Sequence, residues 1–245
     1  MKYICIIPAR MNSSRLPNKV IREINGKTLL EHVVDNARRA NIENVAVACD
    51  SLEVMEIAKR IGVNSIYTDP NLPTGTDRVS AAAAQLNDKY DIIVNMQGDL
   101  ALFDASKLND AVKLLEEHDD YDMATLAVPI QKSSMITSPN TVKIAIAFKD
   151  EDWGDALYFS RSPIPYESKQ YYQHIGVYAF KRDAIVKFSV MPQTLLEKTE
   201  RLEQLRALEN RMRIGVKIVD HFDVQEINSI EDVKEFEEYL KNHEK

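Results

Sequence analysis

Residues 8–19, PARMNSSRLPNK, put Arg10, Arg15 and Lys19 beside Ser13 and Ser14 on one short loop. Three cations and two hydroxyls suit a ligand carrying the charge of a triphosphate; a merely solvated loop is the alternative. The P-loop pattern G-x-x-x-x-G-K-[ST] is absent, and the seven glycines include no G-x-G, so there is no dinucleotide fingerprint either. A second group, NMQGDLA, sets Gln97 and Asp99 at the end of an apolar run. Asp99 could hold Mg²⁺, a hard cation that prefers oxygen donors, or cap a following helix. Gly98 permits close backbone approach to a ligand. In TGTDRV, Gly75 and Arg78 flank a helix start that could meet an anion or a base edge, while Thr74 or Thr76 could simply be its N-cap.

Further along, Arg161 lies between Ser160 and Ser162 after an aromatic run. His174 and Tyr178, four apart, fall on one strand face, where a satisfied core histidine is the plainer reading. Glu200, Glu203, Gln204 and Arg206 share one helical stretch, which on its own reads as a solvated face with paired charges. The DYD at 120–122 precedes a strand and reads as a surface turn rather than a metal motif.

The elements that must carry these residues alternate. YICIIP, NVAVACD, NSIYTD and DIIVNM read as short strands. LLEHVVDNARRA, VMEIAKRIG, DRVSAAAAQL and KLNDAVKLLEEH read as helices, the second stopped by Gly62. Such alternation implies parallel strands with ligands at their carboxyl ends, here Pro8 to Arg10, Asp50 and Gln97 to Asp99. MATLAVPI, TVKIAIAF, HIGVYAF and IGVKIV add strands. Residues 195–209 read as one amphipathic helix with Leu195, Leu202, Leu205 and Leu208 near one face, and SIEDVKEFEEYLKN as a final helix with a Ser229–Asp232 capping box. With no linker or repeat, 1–245 is expected to be one domain with an inserted lobe near 130–190.

Composition narrows the partners. Thirty-one basic and 38 acidic residues give a formal charge of −7, which opposes a general nucleic-acid or anionic-membrane binder. No stretch approaches a membrane span or a signal peptide, so a soluble cytoplasmic protein is expected. Cys5 and Cys49, each in an apolar run, read as small buried side chains.

Taken in order, IIPARMNSSRLPNK, INGKTLLEHV, TGTDR, VNMQGD, MATLAVPI, ALYFSRSPIPY, HIGVYAF and LEQLRALE resemble the 3-deoxy-manno-octulosonate (Kdo) cytidylyltransferase family over nearly the whole chain. The resemblance implies an α/β fold of the nucleotide-diphospho-sugar transferase type, a Rossmann-like sheet with a small inserted dimerisation lobe, and a homodimer. It implies CTP and a sugar acid as substrates, Mg²⁺ as cofactor, and attack of the anomeric hydroxyl on the α-phosphorus. By the same resemblance Pro8, Ala9, Arg10, Ser14, Arg15, Lys19, Gly75, Arg78 and Gln97 bind the nucleotide, with Arg15, Lys19 and Asp99 at the chemistry. Gln97, Arg161, His174, Tyr178, Glu203 and Gln204 line the sugar-acid pocket, and Asp99 and Asn228 hold the metal. The sugar could be Kdo, its 8-amino analogue or a nonulosonate, and a nucleotide-binding homologue impaired in turnover is the reading from another class.

Three departures stand out. Asn18 replaces the family's glycine, a mild change because Asn tolerates the left-handed region. Leu100 and Ala101 replace a polar residue and a proline. INSIED replaces V-D-T-P-E-D, so Asn228 stands where the second metal-binding aspartate is expected, keeping an oxygen donor and losing a charge.

Overall fold

YICIIPA forms strand β1 (Tyr3–Ala9), with all but its first residue withdrawn from water. A run buried on both faces is what a strand covered by helices requires. The computed structural model describes residues 1–11, 16–87, 90–220 and 225–243. Two compact units make up the chain: Met1–Tyr90 with Asn95–Ser106 and Phe222–Lys245, and Asp91–Val94 with Lys107–His221.

In the first unit a small ribbon, β2 (Glu23–Ile24) and β3 (Lys27–Thr28), turns at Asn25 and Gly26, both at positive φ, as an Asn-Gly hairpin should. Helix α1 (Leu29–Ala37) starts with a capping box between Thr28 and Glu31. Next come β4 (Asn44–Cys49), α2 (Leu52–Arg60), β5 (Asn64–Tyr67) and α3 (Gly75–Gln85). Gly62, at φ 66°, ends the α2 turn where the sequence places a stop. Strand β4 pairs in parallel with both β1 and β5, as the strand–helix alternation demands. The last two residues of strand β6 (Ile92–Met96), Asn95 and Met96, belong to this unit, and the short strand β7 (Leu100–Leu102) follows.

The second unit opens with α4 (Leu108–Glu117) and β8 (Met123–Pro129). Then follow a single turn, α5 (Ser133–Thr137), and the strands β9 (Lys143–Phe148), β10 (Trp153–Ser160) and β11 (Tyr172–Lys181). Helices α6 (Arg182–Ser189), α7 (Leu195–Glu200) and α8 (Gln204–Glu209) precede β12 (Ile214–Ile218). The strand order is β11–β8–β12–β10–β9, and β9 also meets β11 at Lys143 opposite Gln173. Residues 130–190 thus lie within a larger body, because β8 pairs with β11 and β12, and β10 pairs with β12. Back in the first unit, β13 (Gln225–Glu226) pairs with β7, and α9 (Ile230–His243) ends the described chain.

The stretch 195–209 is not one helix. Arg201 adopts the left-handed conformation at φ 56° and breaks it into α7 and α8. Leu195 therefore points outward, 75% exposed, while Leu202 and Leu205 are buried. Nor is Arg206 part of a solvated face. Its Nε and Nη2 reach Glu197 Oε2 and Oε1 at 3.0 and 2.7 Å, its guanidinium lies 4.5 Å from the Phe188 ring centroid, and both charged side chains are buried. Removing one partner of such a pair leaves the other charge stranded. Glu197→Gln is expected to lower the unfolding free energy by roughly 3 kcal/mol, seen as a lower urea midpoint at unchanged slope. A midpoint unchanged from wild type contradicts the pair's role.

Candidate active site

The first unit gathers its polar residues at the carboxyl ends of β1, β4 and β6. Pro8 and Ala9 end β1 in a buried position, and Arg10 follows, exposed. Met11 N–H donates to Asp50 Oδ1 at 3.0 Å. Asp50 Oδ2 accepts from Arg78 Nη2 at 3.0 Å, and Arg78 Nη1 donates to Thr68 Oγ1 at 2.6 Å. Arg78 is 1% exposed. Rather than a surface contact, the structure gives Arg78 a buried ion pair that fixes the start of the 8–19 loop through Asp50. Ser14 and Arg15 lie outside the described residues.

Thr74 is the N-cap of α3, its Oγ1 accepting from Asp77 N–H at 3.1 Å. A Cβ on Gly75 would come within 3.0 Å of Gln97 Oε1 and 3.3 Å of Pro8 Cγ, which brings Pro8, Gly75 and Gln97 together. Gln97 is steered by Asn95, whose Oδ1 accepts from it at 3.2 Å and whose own Nδ2 donates to Thr76 Oγ1 at 2.9 Å. Gly98 does allow a close approach, but to protein. A Cβ there would stand 2.3 Å from the Pro8 carbonyl oxygen.

Asp99 caps no helix, since β7 follows it directly. Its Oδ2 accepts from Lys19 Nζ at 2.7 Å, and the same ammonium donates to Asn228 Oδ1 at 3.1 Å. Asn18, just before Lys19, is left-handed at φ 55°, the conformation its substitution for glycine requires. The β7–β13 ribbon brings residue 228 to Asp99, with Ile227 N–H donating to the Asp99 carbonyl at 2.9 Å. Leu100 and Ala101 are buried in that ribbon, which accounts for their apolar character. Asn228 is oriented from behind. Its Nδ2 donates to Glu226 Oε2 at 3.2 Å and its N–H to Asp232 Oδ2 at 2.7 Å, where Asp232 and Ser229 form the expected reciprocal cap. Asn228 Oδ1 is left pointing at the ammonium. Two oxygens from distant segments thus converge on one positive charge, a donor set that fits a hard divalent cation. Among the described residues no three His, Cys, Asp or Glu side chains gather into a complete cage.

The second unit carries the other cluster. Glu200 Oε1 accepts from Ser160 Oγ at 2.7 Å, and its Oε2 from Arg161 N–H at 2.9 Å. The Arg161 guanidinium donates through Nε to the Glu200 carbonyl at 2.9 Å, through Nη1 to the Pro139 carbonyl at 2.8 Å, and through Nη2 to the Arg201 carbonyl at 3.5 Å. Among the described residues one N–H on each terminal nitrogen is left over, enough for a bidentate carboxylate. Gln204 is buried with its Nε2 unpartnered among the described residues, an orphaned donor of the kind a bound ligand satisfies. Glu203 directly precedes it at the N-cap position of α8.

His174 is the core histidine its surroundings suggest. Its ring packs against Phe159 and Tyr178, 4.9 and 5.5 Å between centroids. The two residues share a face by an unexpected route. β11 slips past β8 between Ile175 and Tyr178, so His174 faces Ala127 and Tyr178 faces Thr125, two residues apart. Thr125 Oγ1 lies 2.7 Å from the Val177 carbonyl and 2.9 Å from His174 Nε2. A hydroxyl has one proton. Given to Val177, it leaves the oxygen to accept from Nε2–H, which makes Nδ1 the acceptor nitrogen.

Residues that pattern reading passed over are Asn95, Glu200 as the partner of Arg161, and Lys143. The available signal for the last was a single charge inside the apolar run TVKIAIAF.

Burial pushes the His174 imidazole down to about 3. This lies below its ordinary value, so the unfolded chain binds the extra proton first, and stability is lost as pH falls from about 6.5 towards 3. The His174 ring resonances are expected to stay at their neutral NMR positions from pH 5 to 8. A titration midpoint inside that range contradicts the assignment.

A sequence profile described as cytidylyltransferase matches residues 4–214. A protein of Rickettsia prowazekii (strain Madrid E), named 3-deoxy-manno-octulosonate cytidylyltransferase, is 39% identical over 238 residues, covering 96% of this chain and 94% of its own. One of the same name from Paramagnetospirillum magneticum is 40% identical over 220 residues, covering 89% of each chain. Among solved structures, a CMP:2-keto-3-deoxy-manno-octonic acid synthetase complexed with CTP superposes with a TM-score of 0.90 at 29% identity over 99% of both chains. The UTP-bound UGPase of Acinetobacter baumannii, at 13% identity and a TM-score of 0.72 over 100% of this chain and 95% of its own, shares the fold alone. The fold is thus the expected α/β nucleotide-diphospho-sugar transferase type, and the chain belongs to the cytidylyltransferase family, among relatives named 3-deoxy-manno-octulosonate cytidylyltransferases.

Proposed function

We propose that this protein transfers CMP from CTP to the anomeric hydroxyl of 3-deoxy-manno-octulosonate and releases pyrophosphate. The observation that carries the reading is the convergence of Asp99 and Asn228 oxygens on the Lys19 ammonium, beside the loop that supplies Arg10. Displacement at phosphorus is chiefly a matter of positioning and charge neutralisation. Lys19 and Arg10, with Arg15 and Ser14 by resemblance, offset the phosphate charge as pyrophosphate departs. Pro8, Gly75 and Gln97 form a tight polar shelf suited to the nucleoside. Arg161 offers two N–H groups to the acid's carboxylate, and Gln204 an unmet amide donor. Tyr178 and Glu203 belong to the same acid-binding group by resemblance. His174 belongs to that group by resemblance as well; neutral, buried and bonded to Thr125, it backs the Tyr178 ring rather than shuttling protons. No side chain need form a covalent intermediate, because the sugar hydroxyl is itself the nucleophile.

Asp99 and Asn228 are the residues that hold Mg²⁺ in this reading, with phosphate oxygens completing the shell. Bound there, the ion adds charge neutralisation at the phosphates and acidifies the attacking hydroxyl. An amide in place of a carboxylate weakens such a site. A homodimer joined through the 130–190 segment and a cytoplasmic setting, where CTP is at hand, belong to the same proposal.

The test is pyrophosphate release from CTP with Kdo, 8-amino-Kdo and a nonulosonate, over a range of Mg²⁺ concentrations, for wild type and Asn228→Asp. Turnover on Kdo is expected, with a half-saturating Mg²⁺ concentration about tenfold lower in the variant, the effect of restoring one ligand charge. Turnover confined to nonulosonates, or CTP binding without turnover, overturns the substrate assignment. Identical metal titrations overturn the role given to Asn228.

A further inference from the structure

Lys143 opens β9 and is 0% exposed. A buried ammonium ordinarily sits against a carboxylate. This one does not. Its three protons go to backbone carbonyls: Ser138 at 2.8 Å, Thr141 at 2.6 Å and Arg161 at 2.5 Å. The strand register explains the cage. Residue 143 pairs with Ser160 on β10 and with Gln173 on β11, so its side chain enters the junction where the 138–141 turn, the end of β10 and β11 meet.

Carbonyl dipoles satisfy donors without cancelling charge. The same holds for Arg161, whose guanidinium is bonded to the carbonyls of Pro139, Glu200 and Arg201. On the strands and helix packed around Lys143, the charged groups that act on it are Arg161 and Glu200. His174, on β11, is neutral. Glu200 is committed to Ser160 Oγ and Arg161 N–H. Two cations therefore face one carboxylate, and the excess is one positive charge held in a rigid, partly dehydrated setting. Such a surplus is what a bound anion neutralises.

We propose that Lys143 is a positioning residue for recognition of the acid substrate's carboxylate: it locks the Arg161 backbone to the 138–141 turn and supplies the second positive charge of an anion site. This rests on the sugar-acid reading above. Two contributions follow. Lys143 fixes the Arg161 carbonyl, and Arg161 in turn bonds Pro139 in the same turn, so the guanidinium plane is set before ligand arrives. The caged charge also adds attraction for an anion that Arg161 alone would hold less tightly. Burial, then the charge of Arg161, draws the Lys143 ammonium below its ordinary range, while Glu200 partly restores it. The charge is thus lost on the alkaline side earlier than for a solvated lysine.

The experiment compares wild type with Lys143→Gln, which keeps amide donors for the carbonyls and removes the charge. KM for Kdo and for CTP is measured across pH, and Kdo binding by calorimetry. The expected result is a rise of about tenfold in KM and Kd for Kdo, the size of one charge-assisted contact, with KM for CTP unchanged. Wild-type KM for Kdo is expected to climb at alkaline pH and that of the variant to stay flat. Equal Kdo affinities overturn the proposal, as does a parallel rise in KM for both substrates, which marks a purely structural role. Should Lys143→Gln fail to fold, the wild-type profile decides: an alkaline rise for Kdo alone supports the proposal, and a flat one overturns it. Kdo binding that depends on Lys143 in a protein without turnover upholds the anion site while sinking the transferase reading. Wild type that fails to bind Kdo sinks both.

Discussion

A single ammonium holds the polar cluster of the first unit together. Lys19 Nζ bonds Asp99 and Asn228, residues 80 and 209 positions away from it in sequence. The end of β6, the β7–β13 ribbon and the short turn after the 8–19 loop all have to arrive within a few ångströms for that junction to form. Each arrival has its own cause. Gly98 lets the chain after β6 pass the Pro8 carbonyl at a distance no side chain permits. Asn18 takes a left-handed conformation so that Lys19 can point inward. Asp232 and Glu226 fix the Asn228 backbone and amide so that its oxygen faces the lysine. The junction arranges two oxygens around a positive charge before any ligand is present, which lowers the ordering cost of binding.

The cations withdrawn from water are capped in two ways. In the first, Arg78 meets Asp50 and its charge is cancelled, a pair that holds the start of the 8–19 loop. In the second, Lys143 and Arg161 are capped chiefly by carbonyls and keep their charge. Carboxylate capping makes Arg78 a strut, and carbonyl capping leaves Lys143 and Arg161 the surplus charge on which the proposed anion site rests. The Arg206–Glu197 pair under Phe188 is another strut, securing the helix that bears Gln204. Which oxygens surround a basic residue is a property of the fold rather than of the residue type.

This is also where sequence reading met its limit. Strands β1, β4, β5 and β6 and helices α1 to α4 were legible from apolar spacing, capping residues and the Gly62 stop, whereas the short strands β2, β3, β7 and β13 were not. Their parallel order in the first unit followed from alternation. Asp99 and Lys19 were recognisable because strand-end carboxylates and loop cations are local features. Other readings depended on long-range geometry. Nothing local distinguishes Arg78 from a ligand-facing arginine; its burial follows from Asp50 and Thr68 on other elements. The 195–209 periodicity continued through Arg201 because a single left-handed residue leaves no mark in the apolar pattern when it is not a glycine. His174 and Tyr178 shared a face as alternation says, and the slip in β11 preserved this because it absorbed two residues, an even number. Lys143 was invisible as long as a lone lysine in a strand was assumed to face solvent.

The central claim is that Asp99 and Asn228 form a preset oxygen pair for a divalent cation that arrives with the nucleotide. Its most direct test is electron paramagnetic resonance titration of Mn²⁺ into the protein with CTP bound, comparing wild type with Asp99→Asn. The account predicts CTP-dependent Mn²⁺ binding to wild type, beyond that of CTP alone, weakened about tenfold or more by loss of the carboxylate. Mn²⁺ affinity that is the same in both proteins would contradict it.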